Sequence, residues 1–210
     1  MIYNIFKRLC DFLFSLIIII ILSPLLLIII SILFCTGEGE IFYFQERIGK
    51  NSFPFKIIKF VTMVKNSPNI GTGDITLRND PRVLPFGKFL RISKINELPQ
   101  LINILKGDMS FVGPRPLMRA GYLKYDKIIQ KKIYNIKPGL TGLGSIVFRD
   151  EEKIMTNSDL DPQESYKKEI LPYKGKLELW YQIKYNFLVD FKILVLTGIY
   201  IFFPKNNLLK

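Results

Sequence analysis

The chain has 210 residues, room for one domain with its own core, and is 49% hydrophobic with a mean hydropathy of +0.21. Thirty Lys and Arg against 18 Asp and Glu give a net charge of +12, which favours phosphorylated substrates or anionic headgroups, and no nucleic-acid motif accompanies it. Histidine is absent from the sequence, which excludes His triads, His bases and His metal ligands and leaves any chemistry to carboxylates, Lys, Arg and a hard cation.

Residues 12–35 carry no charge. As a helix they reach about 36 Å, enough to cross a hydrocarbon core of about 30 Å, so length alone reads as an ordinary transmembrane helix. Ser23-Pro24 in the middle predicts a kink, because proline removes a backbone donor and crowds the preceding turn. Lys7 and Arg8 precede the run and Arg47, Lys50 and Lys56 follow it, so loop charge picks no outer side. A segment that dips into one leaflet and returns fits both features. Cys10 and Cys35 form neither a metal motif nor a disulfide framework.

Residues 36–39 (T-G-E-G) read as a turn, residues 41–44 and 53–63 as two strands of a hairpin, and the polar residues 45–51 as its turn. Residues 66–80 read as a polar loop. Leu98, Leu101, Ile102 and Leu105 recur at helical spacing and Gly107 supplies the stop. A lysine-rich helix is expected over residues 122–135, a glycine-rich turn over 138–144, and a helix over 162–171 interrupted by Pro172-Tyr173. Residues 188–203 are very apolar but short for a span, so a helix on the membrane surface is expected.

The chemistry-bearing residues cluster in residues 93–116, S-K-I-N-E-L-P-Q-L-I-N-I-L-K-G-D-M-S-F-V-G-P-R-P. Asn96 is expected as the N-cap of the helix, with Glu97 complementing its dipole and Pro99 tolerated in the first turn. The same geometry suits a bound diphosphate and a hard cation. Arg115, held between Pro114 and Pro116, presents a planar fork with little freedom, suited to two phosphate oxygens or to a structural pair with Asp108. Arg91 reads as part of a solvated basic face with Lys88 and Lys94. The acidic run Asp150-Glu151-Glu152 reads as solvated.

The stretch 93–116 resembles the core motif of the bacterial sugar transferases, monotopic phosphoglycosyl transferases that load sugar phosphate onto a membrane polyprenol. K-F-V-T-M at 59–63, K-P-G-L-T-G-L-G at 137–144, Trp180-Tyr181 and V-D-F-K-I-L at 189–194 are similar to further motifs of that family, so the resemblance runs from Lys7 to Leu194. It implies a re-entrant helix-break-helix, a UDP-sugar donor, Mg²⁺, and an Asp-Glu pair whose Asp attacks the β-phosphorus and releases UMP. Here Asn96 occupies the Asp position, Val61 a basic one, and Leu143-Gly144-Ser145 the usual Trp-Ala-Gln. An amide is a poor nucleophile and a weaker ligand than a carboxylate. Glu97 as nucleophile or base, direct attack by polyprenol phosphate, and catalytic silence therefore all stay open.

The expectations are these. The fold is α+β: a re-entrant membrane helix over residues 1–36, then a mixed helical and hairpin catalytic domain over 37–210 with a membrane-surface C-terminal helix. The resemblance implies transfer of a sugar 1-phosphate from a nucleotide diphosphate sugar to polyprenol phosphate, starting a surface glycan at the cytoplasmic face of a bacterial inner membrane; the alternative is a catalytically silent scaffold or lipid-phosphate binder. Glu97, Asn96 and Asp108 are the catalytic candidates, with Glu97 and Asn96 also metal candidates and Asp108 the residue expected to orient Arg115. Arg91, Arg115 and Lys59 are expected on substrate phosphates, and Thr141, Gly142 and Arg149 on the nucleotide. Anionic lipids are expected partners, nucleic acid is not, and homo-oligomerisation is left open.

Overall fold

The apolar run becomes α1 (Ile2–Thr36) in a computed structural model that describes residues 2–36, 39–70, 80–149, 164 and 166–203. Where the sequence predicts a break, the helix runs on through Pro24. Proline cannot donate to the carbonyl of Ile20, and Ser23 Oγ donates to that oxygen at 2.8 Å instead. Local side-chain chemistry thus restores what proline removes.

One stripe of α1 is docked along most of its length. Arg8 Nη1 and Nη2 donate to the carbonyls of Ile104 and Leu105 at 2.6 and 2.8 Å, and Asp11 Oδ1 accepts from Phe111 N at 3.1 Å. Further along, Ile18 and Ile19 pack near Leu101 and Ile104, and Ile29 and Leu33 near Phe60 and Leu90. The recurrence follows helical spacing, so these residues share one face of the helix. The remaining circumference exposes Ile, Leu and Phe side chains, among them Phe14, Ile20, Ile21 and Leu27.

The expected hairpin forms. β1 (Phe42–Ile48) pairs antiparallel with β2 (Pro54–Phe60) from Phe42↔Phe60 to Ile48↔Pro54. Its turn is shorter than the sequence suggests, since Gln45, Glu46 and Arg47 lie in the ladder opposite Ile57, Lys56 and Phe55. Strand alternation places Arg47, Ile57 and Lys59 on one face.

An unexpected helix, α2 (Pro85–Ile92), opens with proline in its first turn, where a missing N–H costs nothing. A single turn of 3₁₀-helix (Ile95–Glu97) then leads into α3 (Gln100–Lys106). Gly107 ends α3 at φ +96°, as its position predicts. Asn96 is not the cap: it lies inside the 3₁₀ turn, and Pro99 occupies the N-cap position. The Pro99 ring fixes the entry to α3 one turn later than the Asn signal indicates.

A second sheet is two short parallel strands, β3 (Ser110–Val112) and β4 (Gly139–Thr141). Three glycines let these segments touch: a Cβ on Gly139 would meet Gly113 N at 2.1 Å, and one on Gly142 would meet Gly113 O at 2.1 Å. Between the strands, the single helix expected over 122–135 is split into α4 (Arg119–Leu123) and α5 (Lys127–Lys132). Asp126 causes the split by accepting from Ile129 N at 2.8 Å and capping a new helix.

After β4 come α6 (Leu143–Val147), α7 (Leu171–Lys184) and α8 (Phe187–Phe202). The helix expected before Pro172 is present as a π-helical turn, Tyr166–Ile170, that runs directly into α7, so Pro172 sits in the first turn of α7 without interrupting the helix. The expected apolar C-terminal helix is α8, capped by Asn186, whose side chain accepts from Val189 N at 3.0 Å. The run Asp150-Glu151-Glu152, Pro162 and most of the 66–80 loop lie outside the described residues. The chain is thus α+β with a long apolar N-terminal helix.

Candidate active site

Glu97 stands at the end of the 3₁₀ turn and receives two cations. Lys59 Nζ, from β2, and Arg115 Nη2, from the loop after β3, each lie 3.7 Å from Glu97 Oε1. Arg47, Ile57, Gln100, Pro116, Gly139 and Leu140 complete the wall around them. The enclosed space is only about 10 Å³, room for roughly one water, so a larger ligand enters only if a side chain moves. Arg115 is the candidate door. Its side chain is 43% exposed, against 18% for Lys59 and Glu97.

The loop beneath Arg115 is held at several points. Tyr134 Oη donates to Arg115 O at 2.7 Å and accepts from Leu117 N at 2.9 Å. Gly139 N donates to Pro114 O at 2.9 Å and Gly113 N to Thr141 O at 3.0 Å. With proline on both sides, the Arg115 backbone is fixed while its guanidinium stays free to turn.

Among the described residues the lining carries three cations, Arg47, Lys59 and Arg115, against one carboxylate. Burial pushes Lys59 down to about 8, with Glu97 opposing and Arg115, Arg47 and Arg91 adding to the fall. Arg47 falls to about 10, first from burial and then from Arg115. Burial raises the Glu97 carboxyl, but Arg115, Lys59 and Lys94 together bring it below the usual range. Glu97 is therefore an anion at neutral pH, in a pocket whose described lining has more positive than negative charge.

Among the sequence candidates, Lys59, Glu97 and Arg115 come together here, with Asn96 beside Glu97 in the chain. Arg91, on α2, does not line the pocket; its Nη1 lies 3.5 Å from Thr62 Oγ1. Asp108 does not line the pocket: it lies beyond the far end of α3, where Asn103 Nδ2 donates to it at 3.4 Å. Arg115 pairs with Glu97, not with Asp108 as the sequence alternative holds. Thr141 turns to Thr197 of α8, with the two hydroxyl oxygens 2.7 Å apart, Gly142 packs on Gly113, and Arg149 lies over the Tyr200 ring at 4.6 Å. The backbone next to them, Gly139 and Leu140, does line the site.

Arg47 is the residue that sequence reasoning passes over. It hides in a stretch that reads as a polar turn, and the signal that finds it is the strand register facing it toward Lys59.

The resemblance implies a divalent cation, and the oxygens present allow that to be weighed. No group of three or more His, Cys, Asp or Glu is found among the described residues. Asn96 Oδ1, however, is buried with no hydrogen-bond partner, next in sequence to Glu97. One carboxylate and one amide oxygen cannot form a full protein cage. They do fit the mode in which Mg²⁺ takes one or two protein oxygens and the rest from phosphates and water.

Comparison with known proteins agrees with the motif reading. A family model described as bacterial sugar transferase matches residues 2–204. The chain is 36% identical over 193 residues to a UDP-glucose:undecaprenyl-phosphate glucose-1-phosphate transferase of Klebsiella pneumoniae, covering 90% of this chain but 40% of that protein. It is 36% identical over 169 residues to the exopolysaccharide production protein ExoY of Sinorhizobium fredii, 74% of each. Similarity to an uncharacterized sugar transferase EpsL of Bacillus subtilis is 33% over 193 residues, covering 92% of this chain and 85% of that protein. The chain belongs to the bacterial sugar transferase family.

Proposed function

From that membership we propose that the chain transfers a sugar 1-phosphate from a UDP-sugar to polyprenol phosphate, the first step of a surface glycan. Relatives with named activities support the reaction class: one is a UDP-glucose:undecaprenyl-phosphate transferase, and another, from Aeromonas hydrophila, is named for UDP-N-acetylgalactosamine and undecaprenyl phosphate. The observation that carries the reading is the ionised Glu97 between Lys59 and Arg115, in a pocket with two cations in excess over its carboxylate. A diphosphate would bring the missing negative charge.

In this reading Arg115 releases Glu97 and forks onto phosphate oxygens, Lys59 and Arg47 hold the inner ones, and Arg91 meets the donor from α2. Glu97 and Asn96 would hold Mg²⁺ together with the diphosphate, which would supply further charge neutralisation as phosphorus changes partners. Glu97 is the reactive carboxylate. Its oxygen bonds to the β-phosphorus, the bond from that phosphorus to the oxygen bridging the two phosphates breaks, and UMP leaves with the electron pair. A phosphate oxygen of the polyprenol carrier then attacks the same phosphorus and releases the carboxylate unchanged. A low carboxyl pKa suits a nucleophile and opposes a base, and the acceptor is itself an anion that needs no proton removed.

The docking of α1 supports a membrane arrangement. Polar residues near one end, Arg8 and Asp11, and apolar ones near the other, Ile29 and Leu33, dock on the same domain. A straight crossing would carry one end away to the far side. We read α1 as lying in one leaflet from the cytoplasmic face, with α8 and the exposed Phe89 and Ile92 of α2 at the surface. One substrate is soluble and the other lipid-borne, so a pocket at that boundary serves both.

The test is to incubate the full chain in nanodiscs with polyprenol phosphate, Mg²⁺ and a panel of UDP-sugars, following UMP and polyprenyl-diphosphate-sugar by mass. Product is expected with at least one sugar, along with a phosphosugar adduct at Glu97 on the intact protein. Product without an adduct would replace the two-step route by direct displacement. The neutral Asn96 favours a second reading, a silent lipid-phosphate-binding scaffold. That reading takes over if neither the wild-type chain nor Asn96→Asp gives product.

A further inference from the structure

Tyr134 follows α5, and its ring is packed to 1% exposure in a core cluster with Ile48, Tyr125, Ile129, Ile133 and Leu171. The side chain does not line the pocket, yet its hydroxyl reaches the loop that carries Arg115. A phenol both donates and accepts. Here Oη donates to Arg115 O at 2.7 Å and accepts from Leu117 N at 2.9 Å, so one atom closes a bridge across Pro116. The neighbouring carbonyls are held as well. Gly139 N donates to Pro114 O at 2.9 Å, Arg47 Nη1 to Pro116 O at 3.3 Å and Ile48 N to Leu117 O at 2.8 Å.

Two kinds of rigidity bear on Arg115, and its prolines supply only one. Pro114 and Pro116 restrict the local torsions, but they do not place the loop relative to Lys59 and Glu97. Tyr134 can do so, because core packing fixes its ring and only two torsions separate the hydroxyl from the backbone. That backbone is itself tied to the turn between β1 and β2, where Asn51 N donates to Tyr134 O at 2.6 Å. The hydroxyl thus joins the arginine loop to the hairpin that supplies Lys59 and Arg47. These are the two sources of the cations that meet 3.7 Å from Glu97 Oε1, Lys59 on one side and Arg115 on the other. We propose that Tyr134 is a positioning residue whose hydroxyl bridge, from Arg115 O to Leu117 N, registers the arginine loop against the hairpin and so sets where the guanidinium meets the substrate phosphates. It touches no substrate and acts through Arg115. The inference rests on the phosphate-binding reading of the pocket.

The experiment is a double-mutant cycle on the full chain in nanodiscs, with UDP as probe and affinity measured by calorimetry. Tyr134→Phe keeps the ring in the core and removes only the bridging oxygen. We expect affinity to fall roughly tenfold in Tyr134→Phe, and the same change in an Arg115→Ala background to matter less than about twofold. A merely structural role would weaken binding equally in both backgrounds. Affinity equal to wild type in Tyr134→Phe, or losses that multiply in the double variant, would overturn the proposal. If circular dichroism shows that Tyr134→Phe does not fold, Tyr134→His, whose shorter ring cannot span both backbone groups, takes its place in the same cycle with the same expected outcome. Unchanged UDP affinity in Arg115→Ala alone would remove the phosphate reading beneath the proposal, whereas a loss there without any in the Tyr134 variants sinks only the positioning role.

Discussion

Two charge clusters in this molecule are built on opposite terms. At the junction of α1 and α8, Lys7 Nζ donates to Val112 O at 2.9 Å and to Tyr181 Oη at 3.2 Å and forms a short ion pair with Asp190. Asp190 also accepts from Tyr3 and Tyr181 hydroxyls at 2.6 Å each. Every group there is answered. In the pocket, Glu97 sits 3.7 Å from each of two cations, beyond hydrogen-bond length, and the residue before it in the chain, Asn96, has a buried Oδ1 with no partner among the described residues. The first cluster is saturated and holds two helices together. The second is unsaturated, keeps a net positive charge and has the capacity to take a phosphate. Both were visible as charged letters in the sequence, and only contact geometry separates them.

That contrast predicts where each kind of damage appears. The largest effect on stability belongs to the saturated cluster. Lys7→Met strands Asp190 near buried tyrosines and should lower unfolding stability by about 3 kcal/mol or more, read by denaturant or thermal unfolding in detergent. A loss below 1 kcal/mol would remove the distinction between the two clusters.

Arg115→Ala should do the reverse. We expect stability within about 0.5 kcal/mol of wild type and UDP affinity down roughly 10- to 100-fold, because a loosely paired, part-exposed arginine adds little to folding but meets the anion directly. Equal binding in the variant would assign the phosphates to other residues.

The smallest effect is a proton count. Free Lys59 titrates near 8, and bound phosphate favours its charged form. UDP binding at pH 8 should take up as much as about half a proton at this residue, and close to none at pH 6, measured by calorimetry in buffers of different ionisation enthalpy. The stability linkage has a fixed sign. Between about pH 8 and the ordinary lysine range, the unfolded chain binds more protons at this position than the folded one, so Lys59 adds stability as pH rises through that window. Lys59→Met should abolish both the uptake and the slope.

Much of the architecture was legible because it is local. The β-prone aromatic and branched residues of β1 and β2, the helical spacing up to Gly107 and the apolar stretch of α8 each carry their own signal within a few residues. What escaped was set by partners far along the chain. β3 and β4 are three residues each and gain their identity only by pairing Ser110 with Gly139. Arg8 looks like a solvent-facing membrane flank, yet it caps the end of α3. Of the site, the carboxylate, the lysine and the proline-locked arginine were readable from the motif. Arg47 was not, since a strand register brings it in.

The most direct test is turnover by Glu97→Gln beside the wild-type chain, with polyprenyl-diphosphate-sugar as the readout and membrane insertion checked in both. Product from the wild type and a loss of roughly 10⁴-fold in the variant, with insertion intact, is the expected result. Comparable turnover in Glu97→Gln would contradict the claim that this lone carboxylate carries the reaction.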